Sequence, residues 1–409
     1  MMRRSSRFFC YSILFFTTVV IKKFTTEEGF YMPLIILMGI APLLYLRNRR
    51  KMDTLDKLVA VTFVTMVLFS YAFNYQHVKI TSLMYTGMYM TTFLAYKSIV
   101  QRDTLSIRVF VRIIRSIIYL YAIFLFIQQI QVTLGFYPIN HEFTTNYAGG
   151  YKLNAASMEP SHTVIIIPFL LFSFIRCMEI VRGEERYRMN HAINEDFATW
   201  FLSLYVCLSC GSMSVVFTVP ILLLYFIRFR YVAKYLVLAI PLALIVYFVL
   251  ANTNSELIER TQGVITTLIA DKNSIVDFDK SAACRIIPFV EYFSRFDFAN
   301  FQTWFGHGQG ELERICSYVI VFDEDASVGA AGLCNFLYDF GLITGVLFLY
   351  FVVKAICQKW FDYEFVMFLL MVSVVSVNVY ILWGFLIFLY TTNYYFKKNE
   401  RYGEFKQYK

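Results

Sequence analysis

A carboxylate, an arginine and a histidine in this chain have neighbours that suit them to chemistry. Glu159 lies in Asn154-Ala155-Ala156-Ser157-Met158-Glu159-Pro160-Ser161-His162, directly before a long apolar run. Proline fixes its own φ and is tolerated in the first helical turn, so Pro160 is expected to begin a helix. Glu159 then sits at that helix N-terminus, where the dipole and unbonded N–H groups favour its ionised form. The plainer alternative is an ordinary helix-start carboxylate. A carboxylate at a lipid boundary is costly unless satisfied, which favours a functional role. Arg285 closes Ser281-Ala282-Ala283-Cys284-Arg285, and a guanidinium fork suits bidentate contact with phosphate. The alternative is a salt bridge to a nearby acid. Lys152, Arg260 and Arg314 are candidate helpers at the same task, and Arg295 is a weaker one of the same kind. His307 sits in Phe305-Gly306-His307-Gly308-Gln309-Gly310, where Gly308 and Gly310 would let the backbone approach a ligand closely. An imidazole titrates near neutral pH and suits proton transfer; a glycine turn with a surface histidine is the bland alternative.

The elements that must position these residues are membrane helices. Hydrophobic residues make up 58% of the chain, charged residues 16%, and mean hydropathy is +0.56, outside the range of soluble domains. Phe and Tyr are abundant, as in chains with many interface anchors. Runs near twenty apolar residues, with shorter ones allowed, predict twelve spans. They are 8–21, 30–46, 58–73, 80–96, 114–134, 162–178, 197–210, 213–227, 235–251, 331–353, 364–378 and 381–396. The first is read as a helix and not a cleaved leader, since no small-x-small site follows Ile21. The last two form one run split at Asn378. The chain then divides into a bundle over 1–251 that includes an outside loop 135–160, a large polar outside loop 252–327, and helices with a tail over 328–409.

Loop charges give the sidedness. Alternate loops hold 27 of the 37 Lys and Arg residues, which makes that set cytoplasmic and puts both termini inside. The net charge of +8 is mostly this bias and implies no nucleic-acid partner; the basic segments could also touch anionic lipid. The loop 252–327 carries twelve acids and six bases, so its arginines are a minority in an acidic setting. A segment of that length without an obvious fold of its own is usually functional. Asp277-Phe278-Asp279 and Asp323-Glu324-Asp325 fit Asp-x-Asp, a pattern that an acidic loop produces by chance, and no metal is assigned. The eight cysteines are not read as a zinc or redox site; Cys284 and Cys316 share the outside face, where a disulfide could form. No cofactor is expected, and the glycine turn is not a dinucleotide fingerprint.

The order of motifs resembles that of bacterial O-antigen polymerases. It runs Glu159-Pro160-Ser161 before an apolar helix, Arg285 after Ser281, Gly306-x-Gly308-x-Gly310, and Asp339-Phe340-Gly341-Leu342; the turn Ser209-Cys210-Gly211-Ser212 between two spans also resembles that family. The resemblance covers about half the chain, from Lys152 to Gly345. Lys152 stands where such proteins often carry arginine, and lysine binds phosphate only as a point charge. The resemblance implies an all-α, polytopic, GT-C-like fold in a bacterial inner membrane with a periplasmic active site. It implies transfer of a growing glycan from undecaprenyl diphosphate to a hydroxyl of the incoming lipid-linked repeat unit. Glu159 or His307 would be the base and Arg285 the cation at the diphosphate. The partners would be lipid-linked glycans, membrane lipid and a chain-length regulator protein. The alternatives are a ligase that moves glycan onto lipid A core and a non-enzymatic flippase or transporter. The sidedness is testable: a reporter fused at Gln302 should give an outside signal and one at Glu185 a cytoplasmic signal. A cytoplasmic signal at Gln302 would overturn it.

Overall fold

The computed structural model describes residues 32–48, 52–78, 80–102, 105–140, 153–157, 159–210, 212, 214–226, 275–278, 280–316, 332–359, 362–372, 375–377 and 379–402, with positions 15, 263 and 266. The described residues form helices and turns, with no strand among them. The helices are α1 (Met32–Asn48), α2 (Thr54–Phe73), α3 (Ile80–Gln101), α4 (Ile107–Thr133), α5 (Pro160–Arg182), α6 (Met189–Asn194), α7 (Phe197–Ser209) and α8 (Val215–Leu224). They continue as α9 (Ile275–Phe278), α10 (Lys280–Ser294), α11 (Phe301–Phe305), α12 (Glu311–Cys316), α13 (Gly332–Ile356), α14 (Tyr363–Val372) and α15 (Tyr380–Tyr402). Four of them, α2, α4, α5 and α13, are long and apolar enough to cross a membrane.

Local sequence sets the boundaries. Asp53 caps α2 in a reciprocal box with Asp56, each carboxylate accepting the other's backbone N–H, at 3.0 and 3.1 Å. Ser106 caps α4. Pro160 opens α5 as expected, and Gly183 ends it in the left-handed conformation that glycine adopts without strain. The apolar run 364–396 is two helices. Gly332 packs on the backbone of Val375 and Ser376, and the Asn393 amide donates to the carbonyls of Ala355 and Cys357, so α14 and α15 run in opposite directions beside α13. Expected spans 8–21 and 235–251 lie outside the described residues apart from Phe15, whose ring packs on Tyr96, Phe110 and Phe388.

Helices α5 and α15 form the centre. Nearly every side chain of α5 from Thr163 to Ile175 is buried, as is α15 from Ile381 to Asn393. Buried charge gathers at one end of the bundle. The Lys97 ammonium, 2% exposed, bonds Asp53 at 2.6 Å and Asp56 at 2.5 Å. Arg176 bonds Glu179 at 2.5 Å and Glu364 at 2.7 Å. Asp196 accepts from Arg115, Arg182 and Tyr187. The sequence reading counted Lys97, Arg115 and Arg176 among the loop charges that set sidedness. Here they lie within helix ends, satisfied by carboxylates, because a helix continues past its apolar run when its charges find partners. The opposite end carries Asn74, Gln128, the start of α5, and α11 and α12. Within the large polar loop the described part is mostly short helices, and Ile275, Ala283, Ile287, Tyr292 and Leu312 form an apolar cluster with Cys334 and Tyr338 of α13.

Removing one member of a buried ion pair leaves the other uncompensated, at a cost of about 3–5 kcal/mol. Lys97→Met should therefore lower the unfolding temperature of detergent-solubilised protein sharply. Lys97→Met with Asp56→Asn should recover part of the loss, and equal losses in the two variants would contradict the ion-pair account.

Candidate functional site

The end opposite the buried ion pairs collects most of the described residues that the sequence singles out. The loop leading into α5 is built on amides. Gln128 donates to the Asn154 side chain at 2.9 Å and to the Ile139 carbonyl at 2.6 Å, and accepts from the Ala155 N–H at 2.9 Å. Asn140 and Asn154 both donate to the Ser157 carbonyl, at 2.7 and 2.8 Å, and Thr163 donates to the Asn154 carbonyl at 2.6 Å. Ala155 is held at φ 50, a strained value for a residue with a Cβ. This network is largely buried and fixes the approach to α5.

Glu159 emerges from it exposed, at the N-cap of α5. Its side chain caps no backbone N–H; the Ser161 hydroxyl donates to it at 3.0 Å. One turn on, His162 lies within Coulombic reach of both Glu159 and Arg285. Its Nδ1 is buried and makes no hydrogen bond among the described residues. Arg285, half-buried on α10, thus acts on the same imidazole as a carboxylate 126 positions before it. His162 was quoted in the motif but given no role; a histidine three residues after a helix-start carboxylate shares its turn, and that spacing was the available signal.

The glycine turn has a different partner. Helix α13 is broken inside its length at Gly341, with φ 78 and ψ 167. The motif Asp339-Phe340-Gly341-Leu342 therefore forms a break within a helix that starts at Gly332. The turn docks on that break. The N–H groups of His307 and Gly308 donate to the carbonyls of Tyr338 and Asp339, at 2.9 and 3.2 Å, and the Gly310 N–H donates to the Asp339 carboxylate at 3.0 Å. A Cβ on Gly306 would collide with the Asp339 carbonyl, and one on Gly341 with the Trp304 carbonyl. The glycines serve this backbone contact, and the N–H groups of Gly308 and Gly310 are already engaged by Asp339. The approach they permit is to α13, where the sequence reading expected a ligand.

His307 stacks flat on Tyr338, with ring centroids 3.9 Å apart. It lines a cleft of about 570 Å³ together with Asn74, Gln302, Arg295, Glu311 and Arg314. Arg314 is exposed and engages Glu311 through two nitrogens. Arg295 bonds Glu291 at 3.0 Å. Asn74, at the end of α2, closes the wall by donating to the Gly306 carbonyl at 3.1 Å. Burial holds the His307 pKa below its ordinary value; the Tyr338 carbonyl and Glu311 oppose the shift and Arg295 adds to it. The imidazole is therefore neutral at physiological pH and able to accept a proton. The site thus has two centres, Glu159 with His162 and Arg285, and the cleft around His307.

Lys152 and Arg260 lie outside the described residues, as do Asp279 and Asp323-Glu324-Asp325. Among the described residues no three His, Cys, Asp or Glu side chains are grouped to hold a metal. Cys284 and Cys316 are buried thiols of the same apolar cluster. Cys207-Leu208-Ser209-Cys210 is a Cys-x-x-Cys spacing that the sequence reading passed over; both thiols are buried at the end of α7. Comparison with protein-family models, curated proteins and solved structures gave no match.

The neutral imidazole has a measurable consequence. The folded state resists protonation of His307 and the unfolded chain does not, so this contribution to stability is present above the ordinary value of 6.5 and drains away as pH falls below it. The loss of stability on acidification below 6.5 should be shallower in His307→Gln than in the unaltered protein. Superimposable profiles would show that His307 is not held neutral.

Proposed function

We propose that this protein is a membrane glycosyltransferase of the O-antigen polymerase type. In this reading it spans the inner membrane with about twelve helices and works at the periplasmic face. The growing glycan on undecaprenyl diphosphate is passed to a hydroxyl of an incoming lipid-linked repeat unit. The bond from the anomeric carbon to the diphosphate oxygen breaks. The acceptor oxygen bonds that carbon, and its proton goes to a base.

One observation carries the proposal. His162, in the first turn of α5, feels the charges of both Glu159 and Arg285 of α10. A carboxylate and a cation far apart in sequence that act on one imidazole support a site of the kind glycosyl transfer from a diphosphate needs. Glu159, exposed and set on a rigid loop, is the base we favour, with His162 as its neighbour in the same turn. Arg285 meets the charge that develops on the departing diphosphate, an electrostatic role. The cleft offers Arg295 and Arg314 as further cations, with amides and aromatic rings of the kind that bind sugars. Charged side chains of the described long helices lie mostly toward the helix ends, which favours an enzyme over a transporter with charges at mid-membrane.

The test is polymer formation in cells and with purified protein. Arg285→Ala should abolish polymer while the protein accumulates normally. Arg285→Lys keeps the charge and loses the fork, so its rate should fall about a hundred- to a thousandfold, the usual effect of losing one preorganised donor. Glu159→Gln should be as damaging as Arg285→Ala. A well-expressed Arg285→Ala protein that makes a normal ladder would remove the arginine from the site. Cells lacking the gene should keep a single repeat unit on their lipopolysaccharide; loss of every unit would point to a ligase or flippase.

A further inference from the structure

Helix α10 has two apolar faces. One carries Ala283, Ile287 and Tyr292 into the cluster with α12 and α13. The other carries Phe289 and Phe293, one turn apart and with ring centroids 4.7 Å apart, and both rings are more than half exposed. The exposed aromatics continue along the chain through Phe298, Phe301 and Trp304, and all five rings are between 40% and 65% exposed. Ser294, Asp297, Asn300 and Gln302 are interspersed among them and also exposed. A contiguous aromatic surface of this kind marks an interaction site. Mixed rings and polar groups on a short in-plane helix are the pattern of a membrane interface.

The surface is continuous with one that faces lipid. Helix α2 is long enough to cross a bilayer and exposes Val61, Val64, Leu68 and Phe73 along its outer flank. At its end Phe73 meets Phe301 at 5.1 Å and Phe305 at 4.9 Å, and Phe69 meets Phe305 at 5.0 Å. Phe301 and Phe305 stack at 4.3 Å. The rings of α11 thus extend the lipid-facing stripe of α2 without a gap. The Trp304 indole N–H donates to the Phe298 carbonyl at 2.9 Å, so the ring can leave water without stranding its donor.

The geometry points to residues 289–304 as an aromatic wedge that lies in the plane of the membrane, its rings sunk among the headgroups and upper acyl chains of the lipid leaflet around the end of α2. Gln302 lies on the same short helix and lines the cleft, so the wedge sets the cleft rim at the level of the lipid headgroups. The inference rests on α2 crossing the bilayer and is independent of the chemistry proposed for the site.

Tryptophan quenching tests it. The full protein and Trp304→Phe are compared in nanodiscs of phosphatidylethanolamine and phosphatidylglycerol, with one copy per disc. The emission that Trp304→Phe removes should be strongly quenched by lipids brominated near the headgroup end of their chains. It should be weakly quenched by lipids brominated near the terminal methyl, and shielded from iodide. Phe293→Trp should add a second component with the same behaviour, and it reports independently if Trp304→Phe fails to fold. Emission from both positions that iodide quenches and bromolipid does not would overturn the wedge. Shielding from iodide without bromolipid quenching would also overturn it, because the face would then be covered by protein.

Discussion

Two glycine backbones, Gly306 and Gly341, approach so closely that neither can carry a side chain, and the outer end of the bundle depends on that contact. The break at Gly341 frees the carbonyls of Tyr338 and Asp339 from the helical ladder of α13 and presents them sideways. Freed carbonyls inside a protein need donors, and the glycine turn supplies the N–H groups of His307 and Gly308. The turn in turn offers the Gly306 carbonyl to Asn74 at the end of α2. One backbone contact therefore joins α2, α11 and α13 and fixes the wall of the cleft.

Rigidity at the other centre has a different source. The approach to α5 is held by side-chain amides: Gln128 and Asn154 each both give and accept bonds, and Asn140 gives two. A network satisfied in this way specifies one geometry, since any displacement leaves several polar groups without partners. Glu159 stands at its edge with its own carboxylate exposed. In the proposed reading, a base held in this way needs no reorganisation as charge develops. Catalytic positioning here would depend on amide bonds on one side and backbone packing on the other.

The helical class was legible, and ten of the apolar runs coincide with described helices, four of them long and apolar enough to cross a membrane. The opening of α5 at Pro160 was legible from proline chemistry alone. That Arg285 and Glu159 act on one imidazole was not. It depends on how α10 packs, and α10 reads as polar loop because its apolar residues serve two faces at once. The glycine turn was visible, but its purpose was misread: sequence shows that a backbone approaches something, and does not show that the something is a break in another helix. Buried charges were assigned to loops because a count of Lys and Arg cannot reveal a carboxylate waiting on a neighbouring helix. Lys152 and Arg260 fall outside the described residues.

The buried ion pairs at the other end bear on how the chain is made. Lys97 finds Asp53 and Asp56 on the helix synthesised just before its own, so α2 and α3 can leave the ribosome and enter lipid as a hairpin already electrically matched. Arg176 has Glu179 one turn away in α5 and so is never wholly alone during insertion. Its second carboxylate, Glu364, arrives 188 residues later. That ion pair can close only after α14 has been made, and it serves as a late fastening between the first half of the bundle and the last helices to be synthesised.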